Sequence, residues 1–226
     1  MKQNINVRSK LPLLIVLLLG LATAVRAQTT PAPAASPTPV TTTSDATMDT
    51  ANHGLLGEHY YSLDYGYIHH VDGPPNVLHR YGFAANNPLQ PGFDVGLKYD
   101  YLNGSAFGRS AHAQEASIPL TAYLLQGWGR PFLEGDAGWL WQHGGAGGHT
   151  DSFAYLLGTG VELQLQRRIV LTPFVDYQEA PHIGNHGWNY GAKGTFRFTR
   201  EWGASLAAQI DDDHNLEYTG GLNFHF

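Results

Sequence analysis

The sequence lacks cysteine altogether, is poor in charged residues and has no long apolar run beyond its N-terminus. Without cysteine it has neither a disulfide framework nor a lipid-modified N-terminal cysteine. Charged residues make up 14% of the 226 residues, whereas about a quarter is usual in soluble proteins. The mean hydropathy is slightly polar at −0.24, which argues against a bundle of apolar helices. The chain matches neither a charged cytosolic enzyme nor a helical membrane protein.

Residues 1–27 have the features of a secretory signal peptide. Basic residues precede an apolar core from Leu11 to Leu21, and Val25 and Ala27 are small enough for a signal peptidase. We predict cleavage before Gln28, with cleavage after Ala24 as the alternative. Losing the four basic residues of this segment, and none of the 19 acidic ones, takes the formal net charge from −6 to −10. A nucleic-acid partner is therefore not expected.

Residues 28–56 form a stretch rich in proline, threonine and alanine, with almost no charge or large apolar side chain before Leu55. Such a segment cannot bury enough apolar surface to offset the entropy lost on ordering. We therefore predict a disordered periplasmic tether over residues 28–56, followed by a folded domain over residues 57–226.

Within residues 57–226 apolar side chains recur at every second position, which is the period of a β-strand. The clearest run extends from Phe93 to Tyr101, where five apolar residues alternate with Asp94, Gly96, Lys98 and Asp100. We predict ten strands, but the alternation is weak in the first two, so eight strands are the alternative. The ten predicted strands lie near residues 58–70, 77–87, 92–103, 112–125, 131–142, 151–165, 168–179, 187–199, 202–211 and 215–226.

The connections between these strands are of two kinds that alternate along the chain. Tight ones, such as QRR at 166–168, alternate with looser ones, such as NGSAFGRSA at 103–111. Alternation of this sort is typical of a membrane barrel, which has short periplasmic turns and longer outer loops. The sequence therefore predicts a closed antiparallel up-and-down transmembrane β-barrel. A soluble secreted all-β binding protein is the competing fold.

Three further observations favour the membrane barrel. The strands are about ten to fifteen residues long, enough to cross a bilayer at a tilt. Charged residues occupy the opposite face in mid-strand, which a dry protein core rarely accepts. Aromatic residues lie near strand ends, as in the girdles of spanning barrels. Among the tryptophans, these are Trp128 and Trp202 beside short turns, and Trp139, Trp141 and Trp188 beside long connections.

The C-terminal segment LEYTGGLNFHF alternates up to its last residue. Tyr218, Leu222, Phe224 and Phe226 share one face of the predicted final strand. This pattern resembles the closing strand of bacterial outer-membrane β-barrels, and RPFLEGDAGWLW at 130–141 resembles a strand of small OmpA-like and OmpX-like barrels. The resemblance implies a porin-like fold in the cell outer membrane, contact with outer-membrane lipid, and recognition of these four residues by the barrel-assembly machinery during insertion.

With apolar side chains facing lipid, the alternate positions place charged side chains inside the barrel. We expect these charges to pair across strands, because an unpaired buried ion costs several kcal/mol. Glu58, Asp64, Arg80 and Glu115 lie on this face. Acidic residues outnumber basic ones there, so a narrow cation-favouring path is the alternative. The predicted interior network comprises Asp94, Lys98, Asp100, Glu134, Asp136, Glu162, Asp176, Lys193, Arg197 and Glu217.

Nine of the twelve histidines lie at or near the long connections. Imidazole and carboxylate side chains at one rim are suitable ligands for zinc, copper or nickel ions. We predict His182, His186 and His214 as metal ligands, although no pair has a diagnostic zinc spacing. No cofactor is expected otherwise.

For function, the sequence favours a small outer-membrane barrel with a structural or surface-interaction role and no enzymatic activity. One alternative is a barrel hydrolase, either a protease or a lipid A-modifying enzyme, because Asp212 stands two residues before His214 at the outer rim. A carboxylate so placed can orient an imidazole as a general base. A narrow ion-conducting pore is the other alternative. No motif identifies an extracellular ligand.

Overall fold

The computed structural model describes residues 54–69, 77–106, 109–126, 129–144 and 149–226, and these form an all-β structure. In the described part of the chain, no helix is long and apolar enough to cross a membrane. The predicted signal peptide and most of the predicted tether lie outside the described residues. The strands are β1 (Tyr60–His69), β2 (Val77–Gln90), β3 (Phe93–Ala106), β4 (Arg109–Tyr123), β5 (Arg130–Gly144), β6 (His149–Gln166), β7 (Ile169–Ala180), β8 (Asn185–Arg197), β9 (Trp202–Asp211) and β10 (Leu216–His225).

Each strand pairs antiparallel with its neighbours in sequence, and β1 pairs with β10 to close the sheet. The closing register runs from Tyr60 opposite His225 to His69 opposite Leu216 without a break. The prediction of a closed up-and-down barrel is confirmed, with ten strands rather than eight. Both weakly alternating segments, β1 and β2, are full members of the sheet because each finds a partner on either side.

The two ends of the barrel differ less in connection length than the sequence suggested. Strands β3 and β4 extend to Ala106 and Arg109, so the predicted loop at 103–111 is mostly paired backbone. Similarly, β5 and β6 pair as far as His143 and His149. Polar and glycine-rich segments can still form the backbone hydrogen bonds of a β-ladder where their side chains face neither lipid nor a core. The prediction of long outer loops was therefore wrong at these two hairpins. We call the end of the barrel that carries these two hairpins the outer rim. The opposite end, where β1 begins and β10 ends, is the inner rim.

The burial of side chains is the reverse of that in a soluble protein, because polar side chains are buried and large apolar ones are exposed. Among the most deeply buried are Asp94, Ser152 and Asn223, which point into the barrel. A soluble β-sandwich requires an apolar core between its two sheets, so the arrangement excludes that alternative for the described residues. The exposed aliphatic side chains of the strands include Leu63, Leu97, Ile118, Leu120, Leu157, Leu206 and Leu222 on the outer wall.

Aromatic side chains flank these aliphatic residues towards both rims. Near the inner rim, the Tyr61 and Phe226 rings stack at 4.9 Å, and the Trp202 and Phe224 rings lie 5.0 Å apart. Towards the outer rim, Tyr177 and Trp188 form a similar pair at 5.3 Å. Trp139 and Trp141 belong to the same outer region on β5, whereas Trp128 lies outside the described residues. An aliphatic band between two aromatic belts matches the profile of a bilayer.

Leu206 and Leu89 provide a test of what the outer wall contacts. Leu206 is 73% exposed in the middle of β9, and Leu89 is 58% exposed beside the β2–β3 turn. Leu206→Arg should lower the free energy of unfolding in lipid bilayers by about 2–4 kcal/mol, whereas Leu89→Arg should cost about 0–1 kcal/mol, because the penalty for arginine falls towards the interface. Equilibrium denaturant unfolding in vesicles measures both. Equal costs at the two positions would contradict a hydrocarbon environment.

Candidate functional site in the barrel interior

An ion-pair network around Arg80 lies on the interior face of four neighbouring strands, β10, β1, β2 and β3. The Arg80 guanidinium on β2 lies 2.8 Å from Glu217 Oε1 on β10 and 3.8 Å from Asp100 Oδ1 on β3. Its Nη2 also donates to Thr219 Oγ1 at 2.9 Å. Arg80 therefore links the closing strand β10 to β3 along the interior face of neighbouring strands. All three charged side chains occupy inward positions because they alternate with outward aromatic or aliphatic residues.

The network extends to further interior side chains. Lys98 Nζ lies 3.1 Å from Asp100 Oδ2, and Gln209 Nε2 donates to Glu217 Oε2 at 2.8 Å. Both carboxylates thus have a cation and a second polar partner. Lys98 and Asp100 lie on the same strand, β3, so the ion pairs between strands are those of Arg80 with Asp100 and Glu217.

Two other predicted carboxylates are held by neutral donors rather than by cations. Ser117 Oγ donates to Asp136 Oδ2 at 2.9 Å, and Asn189 Nδ2 donates to Asp176 Oδ1 at 2.6 Å. Sequence patterning did not single out these partner residues, since Ser and Asn at inward positions carry no charge signal. Glu134 and Lys193 occupy inward positions on β5 and β8 and are partly exposed.

The inner rim is crossed by residues 54–58, which we call the plug segment. Its backbone N–H groups donate to interior carboxylates: those of Leu55 and Leu56 to Glu162 Oε1, at 2.8 and 3.3 Å, and that of Gly57 to Asp94 Oδ2 at 2.8 Å. The Leu55 side chain is only 8% exposed. Buried carboxylates on β6 and β3 thus hold the plug segment by its main chain.

Side chains from other strands fix the plug segment further. Arg130 Nη1 donates to the Leu56 carbonyl, and Asn86 Nδ2 donates to the Glu58 carbonyl at 3.0 Å. The Glu58 carboxylate pairs with Arg197 on β8 at 3.3 Å. Together with Glu162 and Asp94, these contacts join five strands of the barrel wall through one short segment.

Gly57 makes the path of the plug segment possible. Its φ of 77° lies in the left-handed region, and a Cβ there would lie 2.6 Å from the Tyr123 hydroxyl. Only glycine adopts this conformation at little cost and leaves that space free. Residues 54–56, which the predicted tether includes, thus contact the barrel interior. The apolar pair Leu55–Leu56 after a stretch without large apolar side chains was the available signal.

The predicted assembly residues lie on β10 or directly after it. Tyr218, Leu222 and Phe226 are exposed on the outer wall, and Phe224 contacts Trp202 on the same face. Their placement agrees with the resemblance noted above. Recognition by assembly machinery remains a prediction.

The predicted metal ligands are at the outer rim. His182 and His186 are exposed, and His214 is exposed with a φ of 65°. Among the described residues, no group of three or more His, Asp or Glu side chains is placed to hold a metal ion. The metal-site prediction at His182, His186 and His214 therefore gains no support from the geometry.

A different set of histidines meets on the outer face near the outer rim. His112, His143 and His149 occupy adjacent positions across β4, β5 and β6. The His112 and His143 rings stack at 4.9 Å, and His143 Nδ1 lies 2.8 Å from His149 Nδ1. One of these nitrogens must donate and the other accept. Sequence reasoning placed these residues at the rim but had no basis for pairing them, because their contact depends on the strand register.

The fold places the chain in the class of closed up-and-down β-barrels with a polar interior and an apolar outer wall. No protein-family model and no curated protein matches the sequence. Solved structures similar to it include β-barrels of outer-membrane proteins.

Three of these structures illustrate the similarity. Neisserial surface protein A is 11% identical, with 74% of this chain and 97% of that chain covered and a TM-score of 0.45. The NanC porin is 8% identical, with 74% and 100% covered and a TM-score of 0.45. An outer membrane channel from Pseudomonas putida is 8% identical, with 80% and 99% covered and a TM-score of 0.46.

The importance of the Arg80 network can be measured by replacing its central cation. Arg80→Met leaves Glu217 without its cation and should lower the free energy of unfolding by about 2 kcal/mol. This is less than the ~3–5 kcal/mol of a fully buried pair, because the Arg80 side chain retains 22% exposure. Arg168→Met, at the exposed β6–β7 turn, is the control and should change it by less than about 0.5 kcal/mol. An unchanged stability in Arg80→Met would contradict the role assigned to the network.

Proposed function

We propose that the chain is a small outer-membrane barrel with a structural or surface-interaction role, and that it does not conduct solutes. The observation that carries this proposal is the combination of an apolar outer wall with an interior closed at the inner rim. A cleaved signal peptide directs the chain across the inner membrane. The assembly machinery then recognises the residues of β10 and inserts the chain into the outer membrane.

The outer wall supports the membrane location. Exposed leucines such as Leu63, Leu206 and Leu222 form a surface far more apolar than a soluble barrel of this size tolerates. A single-layer sheet with a polar interior offers no second sheet to cover them. Lipid hydrocarbon is the environment in which this surface is stable, and closure of the ladder satisfies the backbone there.

The plug segment supports the absence of a solute path. Leu55 fills part of the inner rim, and the buried side chains of Asp94, Glu162 and Asn223 lie at the same level. Ten-stranded barrels are narrow, and their interiors are filled largely by side chains. The ion-pair network around Arg80 fills further space along the wall formed by β10, β1, β2 and β3. The narrow ion-conducting pore is therefore the less favoured alternative.

The hydrolase alternative receives no comparable support. The His214 backbone N–H donates to the Asp211 carbonyl at 3.1 Å, and Asp211 also accepts from Asn215. In the described residues, no hydrogen bond joins the Asp212 carboxylate to the His214 ring. An imidazole without an orienting carboxylate lacks the arrangement that general-base catalysis uses.

Two N-terminal truncations test the proposal in planar lipid bilayers. The refolded chain should migrate differently in gels before and after heating, as folded membrane barrels do, and should show no sustained ion conductance. A version beginning at Gly54 keeps the plug segment and should behave identically. A version beginning at His59 removes it and should raise conductance several-fold if the plug segment is the main obstruction at the inner rim.

Each result has a distinct meaning. Sustained conductance by the intact chain would favour the narrow pore over a structural role. Free solubility without detergent would contradict the membrane barrel altogether. A silent His59 version would mean that side chains of the barrel interior close the lumen without the plug segment, which leaves the absence of conduction intact.

A further inference from the structure

A cavity of about 720 Å³ occupies the outer half of the barrel interior. It is partly open, and residues of two outer-rim connections, Ile183 and Asp213, contribute to its lining. The plug segment and the deeply buried polar side chains of the inner half lie on its far side. Its size falls within the range of small-molecule sites, about 300–1,000 Å³.

The upper wall of this cavity is apolar, which the alternation of the strands did not predict. Ile68, Leu78, Leu102, Leu140 and Leu156 all line it from five different strands. Elsewhere in the interior most buried inward side chains are polar or charged, with Phe132 and Val170 among the exceptions. Apolar side chains that face water at the entrance of a cavity cost free energy unless other apolar groups cover them. This wall is therefore suited to the apolar part of a ligand.

The lining of the cavity as a whole is strongly acidic. Among the described residues, seven Asp and Glu residues but only two Lys or Arg residues line the cavity. The two bases, Arg80 and Lys98, are both engaged with Asp100 or Glu217. An anionic ligand would therefore meet an excess of like charge, and a cationic one an excess of opposite charge.

One floor carboxylate is incompletely paired. Asp136 is only 6% exposed, and its Oδ2 accepts from Ser117 Oγ at 2.9 Å. Its other oxygen, Oδ1, has no hydrogen-bond partner among the described residues. A buried carboxylate oxygen without a donor is costly, and a charged N–H donor supplies the strongest replacement.

We propose that this cavity binds an organic cation, an ammonium or guanidinium group carried on an aliphatic or aromatic stem. The cationic head donates to Asp136 Oδ1 at the floor, and the stem packs against Leu102, Leu140 and Leu156 above it. A bare inorganic cation would use the floor but leave the apolar wall uncovered. The ligand enters from the outer rim, since the plug segment crosses the inner one.

The full chain, refolded in zwitterionic micelles, allows a direct test by isothermal titration with n-hexylammonium, using empty micelles as the blank. We expect saturable binding at one site per chain. Hexanoate, with the opposite charge, should not bind. Methylammonium, which lacks the stem, should bind at least about tenfold more weakly, since each lost methylene contact is worth about 0.8 kcal/mol.

Two variants locate the site. Asp136→Asn removes the acceptor charge with little change in shape and should weaken hexylammonium binding at least about tenfold, as expected for loss of a charge-assisted hydrogen bond. Leu140→Lys places an ammonium on an aliphatic stem inside the cavity and should compete with the ligand and abolish binding. Asp94→Asn is the matched control, because Asp94 is also a buried interior carboxylate but does not line the cavity. The affinity of this variant for hexylammonium should be unchanged.

Heat-dependent gel mobility and circular dichroism verify that each variant is folded, and Leu140→Lys decides the matter if Asp136→Asn does not fold. The proposal is overturned by any of three results: no saturable binding to the intact chain, binding of hexanoate as strong as that of hexylammonium, or loss of affinity in Asp94→Asn equal to that in Asp136→Asn.

Discussion

The hydrogen-bonded ladder between β1 and β10 is the constraint on which the rest of the structure depends. Once Tyr60 pairs with His225 and His69 with Leu216, no strand edge is left with unpaired backbone groups. A sheet of this kind tolerates an apolar outer wall, because hydrocarbon offers no alternative hydrogen-bond partner. The closure also forces every second residue of every strand into one enclosed space.

That enclosed space explains the distribution of charge. Its inner half is mostly polar and is held by the plug segment, Arg80 joins the carboxylates of β3 and β10, and its outer half combines acids with apolar side chains. Carboxylates such as Glu162 and Asp94 accept hydrogen bonds from main-chain N–H groups, whereas Glu217 and Asp100 rely on cations. The interior thus uses three kinds of donor (main chain, neutral side chain and cation) to satisfy its carboxylates.

Much of the fold was predictable because the alternation of apolar and polar residues is visible within each short segment of the sequence. The alternation from Phe93 to Tyr101 determines which side chains face outward, and the run from Leu216 to Phe226 indicates closure. The contacts of the plug segment were not predictable, since Leu55 meets Glu162 across 107 positions of sequence. Nor was the His143–His149 contact, or the pairing of β3 and β4 out to Ala106 and Arg109, because both depend on strand register. For the candidate site, patterning identified the charged residues but not their neutral partners, Ser117 and Asn189.

The position of the plug segment has a consequence for biogenesis. Its partners Asp94, Arg130, Glu162 and Arg197 belong to β3, β5, β6 and β8, so they are brought together only when most of the wall exists. Within the described chain, the first residues to be synthesised are thus among the last to find their place. Docking of residues 54–58 requires a nearly complete barrel wall, which makes it a late step of folding.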